Sequence, residues 1–380
     1  MMKVLIVQGS TWKEGGGVET FVNSLIKSKI MSAVNFTVVY PLFYKTKKHN
    51  NLSRCTIDEC PIYVPIDPQK KIFKPFVNIY FNFALLISKD ISSRKYDIMH
   101  INGVSGALLA LKFRKITVFT IHGNSLESYR SQKKYLNTIN KIFNLLNSLI
   151  NFIFEVIATK FSYIAVSVSN TTKSNFYSVR KKSKILVIPN GVIARRENSN
   201  AREVISQKYN LEHNSFIFLW VGRNPERKGL NIAIKSVEKN SSAVLMIVGF
   251  KSDKTSNGNL VYCGQVKSEE LTTLYHSADA LIFPSHYEAM SYVILEAVSI
   301  GLPIIGFRKN FLIDILGPDY PLLCDSEDEF AERVNFLVNI SKIDLEKIKL
   351  KTLEIGKKYN VDNMASSYYR IYQGIEHEFI

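Results

Sequence analysis

Cysteine is scarce in this chain: Cys55, Cys60, Cys263 and Cys324 are the only four among 380 residues. So few cannot form a disulfide framework, and no further Cys or His cluster completes a zinc site around Cys55 and Cys60, so reduced thiols are expected. With 11 Pro and 18 Gly, the chain is too poor in both for a collagen-like or low-complexity polymer. A long clean apolar run is also missing. The most apolar stretch, 142–157, is broken by Asn144, Asn147, Asn151 and Glu155. It falls short of the about 18 apolar residues a membrane span needs, so no crossing segment is expected. The first residues lack a basic leader, an apolar core and a small-residue cleavage site, and read as a first strand rather than an export signal.

What remains is an ordinary globular composition, 46% hydrophobic and 22% charged. At about 100–200 residues per domain, the length suggests two or three domains with sizeable cores. The net charge of +16 is unevenly spread. Residues 1–195 hold 28 Lys and Arg against 9 Asp and Glu, a net of +19; the remainder holds 21 against 24, a net of −3. All the excess positive charge therefore lies in the first half, which suggests an anionic partner there: nucleic acid, a membrane surface or a phosphorylated substrate. Nucleic acid is disfavoured because no base-reading module is recognisable.

Short β-rich runs alternate with helical patterns along both halves. Strands are expected at 4–8, 36–40, 97–101, 116–121, 163–168 and 184–188, with helices at 18–30, 72–91, 104–113, 133–160 and 170–177. A polar linker from Arg195 to about His213 follows. The alternation then resumes, with strands at 216–221, 244–248, 260–263, 280–283, 303–306 and 322–324. Helices are expected at 230–238, 268–276, 292–300, 327–340 and 345–358. Near-continuous apolar strands separated by helices mean α/β domains with doubly wound parallel sheets. The expected division is 1–195, 196–360 and a C-terminal helix, 361–380, packing back on the first domain.

Several loops carry residues suited to anion chemistry. Gly15-Gly16-Gly17 follows the first strand and opens a helix bearing Glu19, where backbone N–H groups could approach a phosphate. The loop fits neither the dinucleotide fingerprint nor a P-loop. Strand 216–221 runs into Gly222-Arg223-Asn224-Pro225-Glu226-Arg227-Lys228-Gly229, which places Arg223 and Lys228 beyond a strand's carboxyl end. Two fixed cations there could stabilise a departing diphosphate. Strand 280–283 leads to a loop with Glu288, followed by a helix that starts near Ser291 and carries Glu296 about two turns in. The N–H groups of Ala289, Met290, Ser291 and Tyr292 would face phosphates. His122 and Gly123 end strand 116–121; His100, on the preceding strand, fits a packing role better.

Taken in order, these stretches resemble the family 4 glycosyltransferases, a retaining group with the two-domain GT-B fold. The resemblance rests on Gly16-Gly17 with Glu19, His122-Gly123, Ile188-Pro189-Asn190-Gly191-Val192, Val221-Gly222-Arg223 through Lys228-Gly229, and Val248-Gly249. It continues through Gly264, Ser277-Ala278-Asp279-Ala280, the Glu288/Glu296 pair and Gly301-Leu302-Pro303. It implies two Rossmann-like domains facing a central cleft. Arg223 and Lys228 would bind the donor diphosphate, Glu288 sugar hydroxyls and Glu296 the ribose. Gly16 and Gly17 would approach the phosphates from the other domain, His122 would line the sugar pocket, and Gly264 to Val266 would meet the nucleobase. Two departures from the family pattern stand out: Ala289-Met290-Ser291 replaces Gly-x-Gly after Glu288, and Gly123 stands where an Asp is common.

The implied reaction moves a sugar from a UDP- or GDP-sugar to a hydroxyl of a glycan acceptor, with retention. Lipid-linked acceptors of surface-polysaccharide synthesis (O-antigen, capsule or lipopolysaccharide) suit the basic first domain, as does a peripheral position at the inner face of the cell membrane. Lys70, Lys71, Phe73, Lys74, Phe76 and the stretch 129–134 are candidates for that surface. No Asp-x-Asp motif is present, so neither a divalent metal nor another cofactor is expected. The alternatives are a GT-B epimerase or sugar-nucleotide hydrolase using the same donor site, and a catalytically silent partner subunit.

Overall fold

The computed structural model describes residues 1–9, 16–43, 57–64, 74–88, 91, 96–181, 184–195, 198–212, 214–251 and 258–379. They form two compact units: Met1–Gly191 together with Val361–Ile380, and Val192–Asn360. The first unit holds a seven-stranded sheet built from β1 (Met2–Val7), β2 (Val34–Phe43), β3 (Ile57–Val64), β4 (Ile98–Asn102), β5 (Thr117–Ile121), β6 (Ile164–Ser167) and β7 (Ile185–Val187). Its order is β3-β2-β1-β4-β5-β6-β7, and every pairing is parallel. β3 was not expected, because Asp58, Glu59 and Pro61 are poor strand formers. It forms at the sheet edge, paired with β2 over eight residues, where a proline is tolerated.

The helices of this unit are α1 (Gly17–Lys27), α2 (Lys74–Ile87), α3 (Leu109–Lys112), α4 (Ser125–Gln132), α5 (Thr138–Phe161) and α6 (Asn170–Ser174). The helix expected over 104–113 shrinks to α3. Gly103 and Gly106 take φ of 73° and 88°, a left-handed backbone that no helix can run through. Leu5, Val7, Ile101, Phe119 and Ala165 of the sheet pack on Phe81, Leu85, Phe154 and Ala158 of the helices to form the core.

The second unit holds a six-stranded parallel sheet of β8 (Phe216–Val221), β9 (Ala243–Val248), β10 (Leu260–Gly264), β11 (Ala280–Phe283), β12 (Ile304–Phe307) and β13 (Leu323–Cys324), in the order β10-β9-β8-β11-β12-β13. Its helices are α7 (Ala201–Tyr209), α8 (Leu230–Val237), α9 (Ser268–Ser277), α10 (Tyr292–Ser299), α11 (Asn310–Leu316), α12 (Asp328–Val338) and α13 (Lys342–Gly356). The stretch read as a polar linker contains α7. Ala201 and Ile205 are buried there, and Arg202 is tied to Asp279 at 2.8 Å and to the Ser277 carbonyl at 2.8 Å. The division between units falls after Gly191 rather than after Arg195. Val192 pairs with Asn360 and donates its N–H to the Tyr359 carbonyl at 2.8 Å, which draws residues 192–195 into the second unit.

The last helix, α14 (Val361–Phe379), belongs with the first unit. Its Tyr368 and Tyr372 are fully buried against His100 of β4. His100 Nδ1 lies 2.5 Å from the Tyr372 hydroxyl, and Nε2 lies 2.7 Å from Thr120 Oγ1. Burial, and next the neighbouring His122, push the His100 pKa down to about 3, so this histidine is a neutral structural pin.

α5 is unusual. It is long and apolar enough to cross a membrane by length and composition, its most apolar 18 residues having a mean hydropathy of 1.6, contrary to the expectation from its asparagines. Ile139, Ile142, Leu146, Leu149 and Ile153 are all exposed, between 42% and 67%. Asn140, Asn144, Asn147 and Asn151 share the opposite face, about 180° round the axis. That face turns inward: Asn151 accepts from Asn78 of α2 at 2.8 Å, and Asn144 and Asn147 line a cavity shared with α4. α2 adds Phe76, Tyr80, Phe83 and Ile87, likewise exposed and spaced along one helical face. The helix is thus inverted relative to an ordinary surface helix, which hides its apolar stripe. Lys70, Lys71, Phe73 and the side chain of Lys74 lie outside the described residues.

Candidate functional site

In an open α/β sheet, ligands bind beyond the carboxyl ends of the strands, where the strand order reverses. In the second unit that point lies between β8 and β11, neighbours in the sheet although β9 and β10 intervene in sequence. The loops leaving these two strands carry Arg223 to Gly229 and Ser285 to Ser291. They are locked together by glycine. Gly229 has φ +67°, and a Cβ there would stand 2.3 Å from the Pro284 carbonyl oxygen. Only a residue without a side chain allows that approach, which brings Lys228 against the loop that follows β11.

The centre of this contact is Glu288. Its Oε1 lies 2.5 Å from Lys228 Nζ and 3.0 Å from Arg227 Nη1, and accepts from Ser285 Oγ at 3.1 Å. Burial by itself raises the Glu288 pKa. The Lys228 and Arg227 charges and the hydrogen bonds outweigh it, so the net shift is downward and the carboxylate is ionised. Burial draws the Lys228 pKa down, while Glu288 works against the fall. Lys228 Nζ also stands 5.0 Å above the Phe283 ring.

Arg223, expected to act beside Lys228, is exposed and makes no hydrogen bond or ion pair among the described residues. Arg227 is the arginine that shares Glu288 with Lys228. Sequence reasoning passed over it, although the adjacent Arg227-Lys228 pair was visible in the loop.

α10 begins at Tyr292, so Glu296 is its fifth residue and stands about one turn in, not two. The buried Ser291 provides the N-cap without a side-chain hydrogen bond, while Ala289, Met290 and Tyr292 are half-buried. Glu296 Oε1 lies 2.9 Å from Arg195 Nη2. Arg195 also donates to Thr272 Oγ1 at 2.5 Å, and its guanidinium sits 4.8 Å above the Tyr275 ring. Nothing in the sequence marks Arg195 for this role. Gly264 ends β10 with φ +70° and open space where a Cβ would be, and Val266 beyond it is half-buried.

In the first unit, the expected residues lie at the ends of β1 and β5. Gly16 provides the N-cap of α1 with Gly17 as the first helical residue, while Gly15 lies outside the described residues. A Cβ at Gly16 would stand 2.0 Å from Glu19 Oε2. The helix start is therefore covered by its own carboxylate, where a phosphate was expected. His122 Nε2 lies 3.2 Å from Asn102 Oδ1, and its ring meets Phe21 edge-on at 4.8 Å. Burial lowers its pKa to about 3, leaving the imidazole neutral. The amide of Asn102 orients the ring from the neighbouring strand.

Cys263 and Cys324 are free thiols, and burial pushes their pKa values up to about 11 and about 12. Cys55 and the side chain of Cys60 lie outside the described residues. Among the described residues, no three His, Cys, Asp or Glu side chains gather to hold a metal ion.

Known proteins share both sequence and fold with this chain. The family Glycosyltransferase Family 4 matches residues 15–196, and the family Glycosyl transferases group 1 matches residues 201–350. A glycosyltransferase of Methanocaldococcus jannaschii is 26% identical over 244 residues, 55% of this chain and 59% of that one. The Escherichia coli UDP-Gal:alpha-D-GlcNAc-diphosphoundecaprenol alpha-1,3-galactosyltransferase is 26% identical over 250 residues, 58% of this chain and 60% of its own. The matches thus span about three fifths of these relatives' length. Sucrose-phosphate synthase from Thermosynechococcus elongatus superposes over 99% of both chains with a TM-score of 0.78, at 16% identity. Two successive family matches take in most of the chain and the fold is that of the GT-B enzymes, which together support a group 1 glycosyltransferase.

Proposed function

We propose that the chain transfers a sugar, with retention of anomeric configuration, from a UDP- or GDP-sugar to a hydroxyl of a lipid-linked glycan in bacterial surface-polysaccharide synthesis. The observation that carries this reading is the cluster of Lys228, Arg227 and Glu288 at the switch point of the second sheet. A departing diphosphate gathers negative charge, and fixed cations stabilise that charge without reorganising at the moment of reaction. Lys228 and Arg223 would take the diphosphate. The three contacts on Glu288 Oε1 leave Oε2 to accept from sugar hydroxyls. Glu296 would take the ribose hydroxyls, the start of α10 the phosphates, and Gly264 to Val266 the base. In the first unit, a neutral His122 would hydrogen-bond a sugar hydroxyl, and the N–H groups of Gly16 and Gly17 at the start of α1 would suit a phosphate. Lys228 and Arg223 can balance the leaving charge by themselves, so turnover is expected without a divalent ion.

The +19 of residues 1–195 and the outward apolar faces of α5 and α2 support a peripheral place at the cytoplasmic face of the membrane. Charge draws such a surface to anionic lipid and apolar side chains hold it there. Salt would weaken the first part of that attraction, because screening acts over about 10 Å at 0.1 M.

The test is an assay with UDP- and GDP-sugars and a diphosphoundecaprenol-linked glycan, with and without EDTA. Acceptor-dependent release of nucleoside diphosphate that survives the chelator is expected. Equal donor consumption without acceptor would replace the transferase with a hydrolase or epimerase, and failure to bind any nucleotide sugar would leave a silent partner subunit.

A further inference from the structure

The inward face of α5 opens on a cavity of about 180 Å³ shared with α4. Its wall is unusual in what it contains: Ser128, Tyr129 and Gln132 from α4, and Asn144, Asn147 and Asn151 from α5. No lining side chain carries a charge, and Leu136 is the only aliphatic one. A phosphate or nucleotide would find no cation there, a metal ion no carboxylate, and an acyl chain almost no apolar wall. What suits such a surface is a neutral molecule dense in hydroxyls, because amides and hydroxyls can each donate and accept.

One atom makes the match specific. Asn147 Oδ1 is fully buried and has no hydrogen-bond partner. Leaving a buried acceptor unpaired costs free energy, a cost that a ligand hydroxyl would relieve once a turn of the amide brings Oδ1 to the cavity wall. The remaining amides are partly spoken for: Asn151 Oδ1 accepts from Asn78, and Gln132 Nε2 donates to Ser128 Oγ at 3.0 Å. Tyr129 adds an aromatic ring, a surface on which the C–H face of a sugar can rest.

The cavity is also held firmly, and close in sequence to the expected acceptor end. α4 starts at Ser125, three residues beyond His122. Asn124 Oδ1 accepts from Leu126 N at 2.9 Å and from Glu127 N at 3.1 Å, while Glu155 of α5 accepts from Ser125 N at 3.2 Å and from Ser125 Oγ at 2.5 Å. Both helices are thereby pinned at the cavity's end. Its volume lies below the roughly 300–1,000 Å³ of drug-sized pockets, which fits a single sugar ring better than an extended ligand.

We infer that this cavity is a subsite for one neutral sugar residue of the acceptor glycan, with Asn147 accepting a hydroxyl from it. The inference rests on the transferase reading above and names where that acceptor is held. It also accounts for the inversion of α5. The asparagines face inward because they meet a glycan, while the isoleucines and leucines face outward toward the lipid that carries it.

The experiment uses the full chain and methyl glycosides of neutral hexoses and N-acetylhexosamines as probes, detected by saturation-transfer NMR. The thermal shift with UDP and GDP is read on the same samples. At least one methyl glycoside should receive saturation from the wild type and bind at least tenfold more weakly to Asn147→Leu, with Tyr129→Ala weakening it likewise. Asn147→Leu should also melt no lower than the wild type, because it removes an unpaired buried acceptor, so its loss of binding is not a loss of folding. If no glycoside receives saturation at 50 mM, or if binding survives both substitutions, the subsite is refuted. Stabilisation by a nucleotide in that outcome would leave the transferase reading standing, whereas its absence in every sample would remove that reading too.

Discussion

Arg195 and Glu296 form an ion pair at 2.9 Å although a hundred residues lie between them in the chain. Arg195 is four residues past Gly191, in the segment that leaves the first unit. Its guanidinium is nine-tenths buried on the Tyr275 ring, and Glu296 is one turn into α10. The pair aims a carboxylate at the place proposed for the ribose. Arg195→Ala should raise KM for the nucleotide sugar about tenfold, since a hydrogen bond to a charged group is worth about 1.5–3 kcal/mol, with a smaller effect on kcat. Arg195→Lys should recover part of the loss. Initial rates at varied donor concentration decide it, and a fall in kcat at unchanged KM would show that Arg195 does not act through Glu296.

Lys228 and Arg223 are expected to separate stability from rate. Lys228 is half-buried and paired with Glu288, while Arg223 is exposed and makes no hydrogen bond or ion pair among the described residues. Lys228→Ala leaves Glu288 with Arg227 alone, and should cost about 1–3 kcal/mol of stability. Arg223→Ala should stay within about 0.5 kcal/mol. Both should lower kcat/KM by about 10²- to 10³-fold, as does loss of a single preorganised donor. Urea unfolding beside steady-state rates checks the pattern. A Lys228→Gln, Arg223→Gln double variant as fast as the wild type would end the electrostatic account.

Glu155 contributes a pH dependence of unusual sign. Burial raises its pKa from 4.5 to about 7 against the pull of its Ser125 hydrogen bonds. Between about pH 4.5 and pH 7 the native state therefore binds more protons than the unfolded chain, and this group's contribution to stability falls as pH rises. His100 and His122 act in the other direction. Both are held at about 3 against 6.5 in the unfolded chain, so they contribute stability above pH 6.5 that is lost as pH falls toward 3. Comparison with Glu155→Gln isolates the carboxyl: the wild-type melting temperature should gain on the variant's as pH drops from 7 to 4.5. A constant difference across that window would contradict the assignment.

Gly229→Ala tests the joint between the two site loops. The substitution meets a left-handed backbone, about 1–2 kcal/mol for an L-residue, and a Cβ 2.3 Å from the Pro284 carbonyl. A loss of about 2–4 kcal/mol in denaturant unfolding is expected, together with weaker nucleotide binding as Lys228 moves off Glu288. Gly258, also at positive φ but with open space around it, serves as the control and should lose only the backbone part.

Much of this was legible before any coordinates. Alternating apolar runs and helical periods placed every strand but β3, most of them to within a residue or two of their ends, because a strand buried on both faces has little choice of composition. The loop residues Lys228 and Glu288 stood out for the same kind of reason: charged groups in loops that leave apolar strands have few places to be except the ligand edge. β3 was missed because Asp58, Glu59 and Pro61 hide a strand that only an edge position permits. α7 was missed because its composition is that of a surface loop; burial of Ala201 and Ile205, with Arg202 reaching Asp279, gives it a place.

The sequence by itself determined the α/β class, the basic first half and the identity of the charged residues at the strand ends, since these follow from local pattern and composition. Which charges meet was decided by tertiary structure alone. Arg227 rather than Arg223 shares Glu288, Arg195 holds Glu296, and the asparagines of α5 turn inward while its isoleucines face out. Pairing of that kind depends on distance in space, and a linear pattern carries no information about which of several cations a buried carboxylate will face.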